Sequence, residues 1–212
     1  MLRLFVKSFG LALLILLVGT HGLAQTTAGK VEFGAYSGAA FNLQGATAIA
    51  CSSPSRCATS GGKTTHPMFG GQFGIAATPW LLLLADVSHA PLGEATASLS
   101  NVASTVKGSA TTFHGLLEFQ PKFRRIVPFG TIGWGAFHQG GSASLMGESQ
   151  QVTGTKLSGQ AGGGVRIFVS EQTALKFGFY GTSIKIGSGS SSENFASFGM
   201  FKAGMVFRAK PD

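Results

Sequence analysis

Phe69-Gly70-Gly71-Gln72-Phe73-Gly74-Ile75-Ala76-Ala77 alternates. Its odd positions carry Phe, Gly, Phe, Ile and Ala, and its even positions Gly, Gln, Gly and Ala. Successive side chains of an extended strand point to opposite faces, so one face of this stretch is apolar and the other small or polar. The same period returns further along. Phe113, Gly115, Leu117 and Phe119 alternate with His114, Leu116, Glu118 and Gln120, and between 157 and 169 the residues Leu157, Ala161, Val165, Ile167 and Val169 oppose Ser158, Gln160, Gly162, Gly164 and Arg166. Beyond the N-terminus no stretch keeps an apolar period of 3.6, and the run Leu81 to Leu84 is far too short for a membrane helix.

Working outward, the period marks eight segments, roughly 30–42, 67–78, 80–90, 110–121, 127–138, 155–169, 173–186 and 196–209. Short connections follow the second (around Pro79), the fourth (Lys122 to Ile126) and the sixth (Ser170 to Gln172). Long ones rich in Gly, Ser, Thr and Ala follow the first, third, fifth and seventh. An even strand count with short turns at one end and longer loops at the other predicts an all-β, eight-stranded, antiparallel up-and-down transmembrane barrel.

Composition decides which face meets what. Of 212 residues, 16 are Lys or Arg and 8 Asp or Glu; 11% are charged, 44% hydrophobic and 32 are glycine. Soluble domains carry about 25% charged residues, so a charge-coated cytosolic enzyme is excluded, and the mean hydropathy of +0.27 excludes a disordered tail. A soluble sandwich or a secreted calycin-like binder keeps its large apolar side chains inside and a polar surface outside. Here the less apolar face is mostly Gly, Ala, Ser and Gln, which suits the crowded interior of a small barrel whose Phe, Leu, Ile and Val face lipid. A closed barrel also satisfies its backbone without an exposed edge, as hydrocarbon requires.

With the apolar face outward, Glu32, Asp86, Glu118, Arg166, Lys176, Lys202 and Arg208 all turn inward. The acids lie in the first half of the chain and the bases in the second, so closure brings them together as an interior charge network. Pairing then offsets the desolvation that each charge would otherwise suffer. Trp80, Phe123 and Phe129 near the short turns, and Phe137 and Phe195 near the long loops, are candidates for aromatic girdles at the two interfaces.

The N-terminus has Arg3 and Lys7, an unbroken apolar stretch from Phe9 to Val18, and the small residues Gly22 and Ala24 ahead of Gln25. This reads as a cleaved signal peptide over 1–24, with the barrel domain over 25–212. Export to an oxidising compartment makes Cys51 and Cys57, with five residues between them, a candidate disulfide. Two sulfurs with His66 as the nearby imidazole make an incomplete tetrahedral metal set.

Other chemistry is weakly marked. His66 and His114 are expected inside and His89 and His138 outside, which argues against a shared metal or catalytic site. Gly61-Gly62-Lys63-Thr64 resembles the end of a phosphate loop, but Cys57 stands where its first glycine is required. Ser88-His89 with Glu94 is the one candidate set for a lipid A hydrolase or acyltransferase. The tight basic cluster Lys122, Arg124 and Arg125 sits in a short turn without the interleaved aromatics of a nucleic-acid binder. We therefore expect no enzyme, no catalytic, cofactor-binding or metal residues, and no nucleic-acid partner.

Four stretches carry a family likeness: Val31-Glu32-Phe33-Gly34-Ala35-Tyr36-Ser37-Gly38, Pro128-Phe129-Gly130-Thr131-Ile132-Gly133-Trp134-Gly135, Ala161-Gly162-Gly163-Gly164-Val165-Arg166-Ile167-Phe168 and Phe201-Lys202-Ala203-Gly204-Met205-Val206-Phe207. On these the chain resembles the outer-membrane β-barrel domain family of diderm bacteria, the OmpA-like and OmpX-like barrels, without the peptidoglycan-binding domain. The resemblance implies an outer-membrane location and contact with outer-membrane lipid and lipopolysaccharide. It implies Phe207 as the aromatic read by the outer-membrane assembly machinery. It also implies a structural, surface-exposed envelope role: integrity, adhesion or limited small-solute passage. A monomer without cofactor is expected, and eight strands leave an interior that side chains fill, so no open pore is expected.

Overall fold

The computed structural model describes residues 29–43, 45–53, 56–61, 63–99, 102–121, 125–145, 148–186 and 194–209. The expected signal peptide over 1–24 lies outside them, as do Lys122, Phe123 and Arg124 and the side chains of Cys51 and Phe195. The chain forms β1 (Val31–Phe41), β2 (Ala48–Ser53), β3 (Arg56–Ser60), β4 (Thr65–Thr78), β5 (Leu81–Leu99), β6 (Val102–Phe119), β7 (Ile126–Leu145), β8 (Glu148–Phe168), β9 (Thr173–Ile186) and β10 (Asn194–Arg208). Eight of these close a barrel in the order β1-β10-β9-β8-β7-β6-β5-β4, each antiparallel to its chain neighbour. Closure comes from β1, which pairs with β10 from Glu32↔Arg208 to Phe41↔Gly199 and with β4 from Val31↔Ile75 to Phe41↔Thr65. β2 and β3 form a separate hairpin within the first connection.

Alternation in the sequence becomes alternation through the wall. Phe33, Phe73, Leu83, Phe113, Ile132, Trp134, Leu157 and Phe179 are exposed on the outer surface, while their neighbours Glu32, Gln72, Asp86, His114, Gln160 and Arg166 are buried in the lumen. On β5 the outward positions run from Leu81 through Leu83, Ala85 and Val87 to His89 at the far limit, eight residues beyond Leu81. At about 3.3 Å per residue and the usual tilt of roughly 40°, that is a band about 20 Å tall, the scale of a lipid-facing belt. The apolar surface therefore faces hydrocarbon rather than a protein core, which removes the soluble-binder alternative.

Two of the long connections expected from the sequence are not loops. β5 and β6 stay paired up to Leu99↔Val102, and β7 and β8 up to Leu145↔Glu148. A membrane strand needs about 9–11 residues. β5 to β8 have 19, 18, 20 and 21, so two hairpins rise well clear of the belt. Their upper halves are rich in Gly, Ser, Thr and Ala on both faces, because neither face meets lipid, and the apolar alternation fades while the backbone ladder continues.

A bulge re-aims β5 as it leaves the belt. Pro91 pairs with Ser109 and Gly93 with Gly108, leaving Leu92 as the extra residue. Gly93 has φ 79°, a conformation that favours glycine. Pro91 is tolerated because pairing with β4 on its other side has ended at Phe69↔His89. Below the bulge even positions face inward (Asp86, Ser88, Ala90); above it odd ones do (Ala95, Ala97), and these pack against Ala46, Ala48 and Val106 beneath the β2–β3 hairpin.

Candidate functional site

The lumen is filled in layers. At the end that carries the short turns, Gly29 and Ala209, the residues Ala76, Leu82, Leu84 and Leu116 form a small apolar cluster. At the opposite mouth, Leu43, Met68, Leu92, Phe137, Ile184, Phe198 and Met200 form an apolar plug. Between them lie the seven charged residues picked out by alternation. Glu32, Asp86 and Glu118 come from β1, β5 and β6, and Arg166, Lys176, Lys202 and Arg208 from β8, β9 and β10.

The structure brings all seven into contact. Arg166 donates from Nη1 to Glu32 Oε2 and from Nη2 to Glu32 Oε1, both at 2.8 Å. Its Nη2 also lies 2.5 Å from Glu118 Oε1, so one guanidinium bridges both carboxylates. Glu118 accepts from Lys176 Nζ through Oε2 at 2.7 Å, and the same Nζ donates to Gln72 Oε1 at 2.8 Å. Arg208 Nε reaches Glu32 Oε2 at 3.4 Å. A second group lies towards the mouth, where Lys202 donates to Asp86 Oδ1 at 2.6 Å and Tyr36 donates to Asp86 Oδ2 at 2.9 Å.

Aromatic faces complete the packing of the cations. Lys202 Nζ lies 4.7 Å from the Tyr36 ring centroid and 4.9 Å from that of Tyr180, and Lys176 Nζ lies 4.7 Å from that of Phe129. Tyr36, Gln72, Phe129 and Tyr180 were not singled out as members of this network from the sequence. The signal was present, since each shares the inward parity of a charged residue on its own strand or the next. Phe129 and Phe137, expected in the girdles, are instead buried in the lumen, because odd positions of β7 face inward. At the short-turn rim the exposed aromatics are Trp80 stacked on Phe119 at 6.1 Å and Phe33 stacked on Phe207 at 5.6 Å.

The candidate enzymatic set does not assemble. Ser88 is buried in the lumen, where its Oγ is 2.6 Å from Thr112 Oγ1, whereas His89 lies on the outer surface with its ring against Phe69. Glu94 is exposed above the bulge and pairs with Lys107 at 3.1 Å. The barrel wall separates the serine from the histidine. His66 and His114 face inward, the latter 3.0 Å from Ser158 Oγ, and His89 and His138 face outward. Among the described residues no three His, Cys, Asp or Glu side chains are grouped as metal ligands. Cys51 and Cys57 are direct backbone partners across the β2–β3 ladder.

The fold is shared with solved outer-membrane barrels. The chain superposes on the outer membrane protein OprG of Pseudomonas aeruginosa with TM-score 0.52 and 10% identity, over 90% of this chain and 100% of that one. For the N-terminal β-barrel domain of OprF from the same organism the values are 0.50 and 15%, over 86% and 98%. Ail, the attachment invasion locus protein of Yersinia pestis, gives 0.47 and 14%, over 86% and 100%. No curated protein matches the sequence. Residues 10–208 match the model of the outer membrane protein beta-barrel domain. With its closed eight-stranded barrel, lipid-facing belt and plugged lumen, the chain belongs to the outer membrane protein beta-barrel domain family and resides in the outer membrane of a Gram-negative bacterium.

Proposed function

We propose that this protein is a non-conducting scaffold that displays surface structure: the barrel anchors two tall hairpins above the outer membrane, and those hairpins adhere to surfaces and partners outside the cell. The observation that carries this reading is the length of β5 to β8, about twice what spanning needs, above a lumen closed by both a charge layer and an apolar plug. Adhesion and envelope integrity fit this architecture better than solute passage. An enzymatic role in lipid A modification is disfavoured because Ser88 and His89 lie on opposite faces of the wall.

In this reading residues 1–24 are a cleaved signal peptide, and the protein is a monomer without cofactor, surrounded by outer-membrane lipid and lipopolysaccharide. The short turns and termini face the periplasm, and Phe207 is presented to the assembly machinery during insertion. The β2–β3 hairpin lies outside, clipped by a Cys51–Cys57 disulfide. Direct antiparallel partners have Cα atoms about 4.5 or 5.5 Å apart, inside the range a disulfide bridges.

The test uses paired deletions. Removing 94–107 leaves Gly93 and Gly108, which are ladder partners, as a Gly-Gly turn. Removing 142–151 shortens β7–β8 between partners in the same way. The full and the shortened protein are both expected to fractionate with the outer membrane and to change gel mobility on boiling, while cells bearing the shortened one lose binding to immobilised extracellular-matrix protein. Binding undiminished by both deletions overturns the adhesive role; loss of the mobility shift in the full protein overturns the barrel.

A further inference from the structure

The outer surface of β5 to β8 carries a feature that neither the belt nor the hairpins require. His89, Thr111, His138 and Thr155 are consecutive ladder partners across four strands and form one row on the outer face. His89 Nδ1 is 2.9 Å from Thr111 Oγ1, and His138 Nδ1 is 2.9 Å from Thr155 Oγ1. When the threonine hydroxyl donates to Nδ1, each imidazole carries its proton on Nε2 and offers that N–H outward. The two rings are two strand spacings apart, about 10 Å.

Below this row the wall is dented. Four residues towards the short-turn end, about 13 Å along the strands, Ala85 and Gly115 form the floor of an apolar groove of about 420 Å³ walled by Phe73 and Trp134. The backbone does not require a glycine at 115: a Cβ there would meet nothing nearer than the Trp134 carbonyl oxygen at 3.9 Å. At Gly133, by contrast, a Cβ would fall on the Gly115 carbonyl oxygen. The groove is thus a choice of side chain rather than a demand of the fold, and its lining is almost wholly apolar.

We propose that this face of the barrel is a binding site for a glycolipid of the outer leaflet that bears two phosphoryl groups. Its phosphates lie against the His89–Thr111 and His138–Thr155 pairs, and one acyl chain lies in the Ala85–Gly115 groove. Two imidazole N–H donors at the upper limit of the belt, about 10 Å apart, match a headgroup with two phosphates better than a single phosphodiester. The site deepens the envelope reading above and rests on its assignment of the hairpin end to the outside.

The full-length protein, folded in detergent, is incubated with equal amounts of diphosphorylated lipid A, the same lipid dephosphorylated, and phosphatidylglycerol, and the lipids retained after washing are counted by native mass spectrometry. One retained molecule of diphosphorylated lipid A, favoured at least tenfold over each competitor, is expected. His89→Phe with His138→Phe keeps ring bulk on the lipid face and should remove that preference, as should Thr111→Val with Thr155→Val. Gly115→Ile, which fills the groove, should lower retention of both lipid A forms about equally. Equal retention of all three lipids by the natural protein, or a preference unchanged in the double histidine variant, overturns the site. Every variant is first checked for the boiling-dependent mobility shift: failure of the shift in the natural protein refutes the barrel reading, whereas a normal shift without selective retention refutes the site alone.

Discussion

Arg166 and Glu32 are 134 residues apart in sequence, on strands that are not neighbours in the barrel, and they form a two-bond pair across the lumen at 2.8 Å per bond. The pair ties β8 to β1, the strand that closes the barrel, and Glu118 on β6 joins it through the same guanidinium. Ionised groups are costly to bury, and the planar fork of arginine is the donor best matched to two carboxylates at once. Closure of the barrel and satisfaction of its interior charges are therefore one event: the interior acids of β1, β5 and β6 are neutralised by bases of β8, β9 and β10.

That coupling is measurable. Glu118→Gln leaves Lys176 without its carboxylate partner, and Arg166→Met leaves Glu32 with only the longer contacts from Arg208 at 3.4 Å and Gln72 at 3.5 Å. Each is expected to destabilise the barrel by about 3–5 kcal/mol, the usual cost of breaking a buried pair from one side. The double variant should be more stable than the sum predicts, by roughly 1–3 kcal/mol. Urea unfolding in lipid vesicles, followed by tryptophan fluorescence, gives the three values; strict additivity would sink the network.

The wall makes its own demand on residue size. A Cβ at Gly135 would land on the carbonyl oxygen of Phe113 across the β6–β7 ladder, whereas one at Gly159 on the outer face would meet only the Gly133 oxygen at 3.9 Å. Gly135→Val should cost at least about 1–3 kcal/mol through forced displacement of the strand, and Gly159→Val should be close to neutral. Parallel refolding yields, scored by the unboiled gel band, check the contrast; equal yields would mean that the β6–β7 spacing relaxes freely.

How much of this was legible in the sequence follows from where each residue's environment changes. Within the belt the outside is hydrocarbon and the inside crowded and polar, so Phe73 beside Gln72, or Trp134 beside Gly135, announces both strand and face. Arg166 and Glu118 could be placed in the lumen for the same reason. Above the belt both faces are free of lipid, and the upper parts of β5 to β8 lost their contrast and read as loops. The turn from inward-even to inward-odd at Leu92 was invisible because a bulge is a backbone event, marked only by Pro91 and the left-handed Gly93. Phe129 and Phe137 were misplaced because aromatic residues near a rim suit a girdle and a plug equally; only strict parity along β7 separates the two.

The β2–β3 hairpin offers a prediction independent of the barrel. Cys51 and Cys57 are ladder partners, and a disulfide between them is expected to leave no thiol reactive on intact cells until a reductant is added. Cys51→Ser with Cys57→Ser should leave barrel unfolding unchanged, because the enclosed loop is short and lies outside the barrel sheet. Protection of the hairpin from protease should fall. Thiol labelling without reductant would show the cysteines unpaired.

The two closures of the lumen predict the behaviour of the mouth. Phe137 and Phe198 pack with ring centroids 5.9 Å apart at the centre of the apolar plug, so truncating either to alanine should cost about 3–5 kcal/mol through lost burial and the cavity left behind. Conductance should not follow stability. Beneath the plug, Lys202 still bridges to Asp86, and Arg166 still joins Glu32 to Glu118, all within the barrel cross-section. Planar-bilayer recordings of the Phe137→Ala, Phe198→Ala double variant should therefore stay at the baseline of the natural protein even as its unfolding midpoint drops. Channel openings in that variant would mean that the apolar plug alone keeps the barrel shut, and that the charge layer lets ions pass.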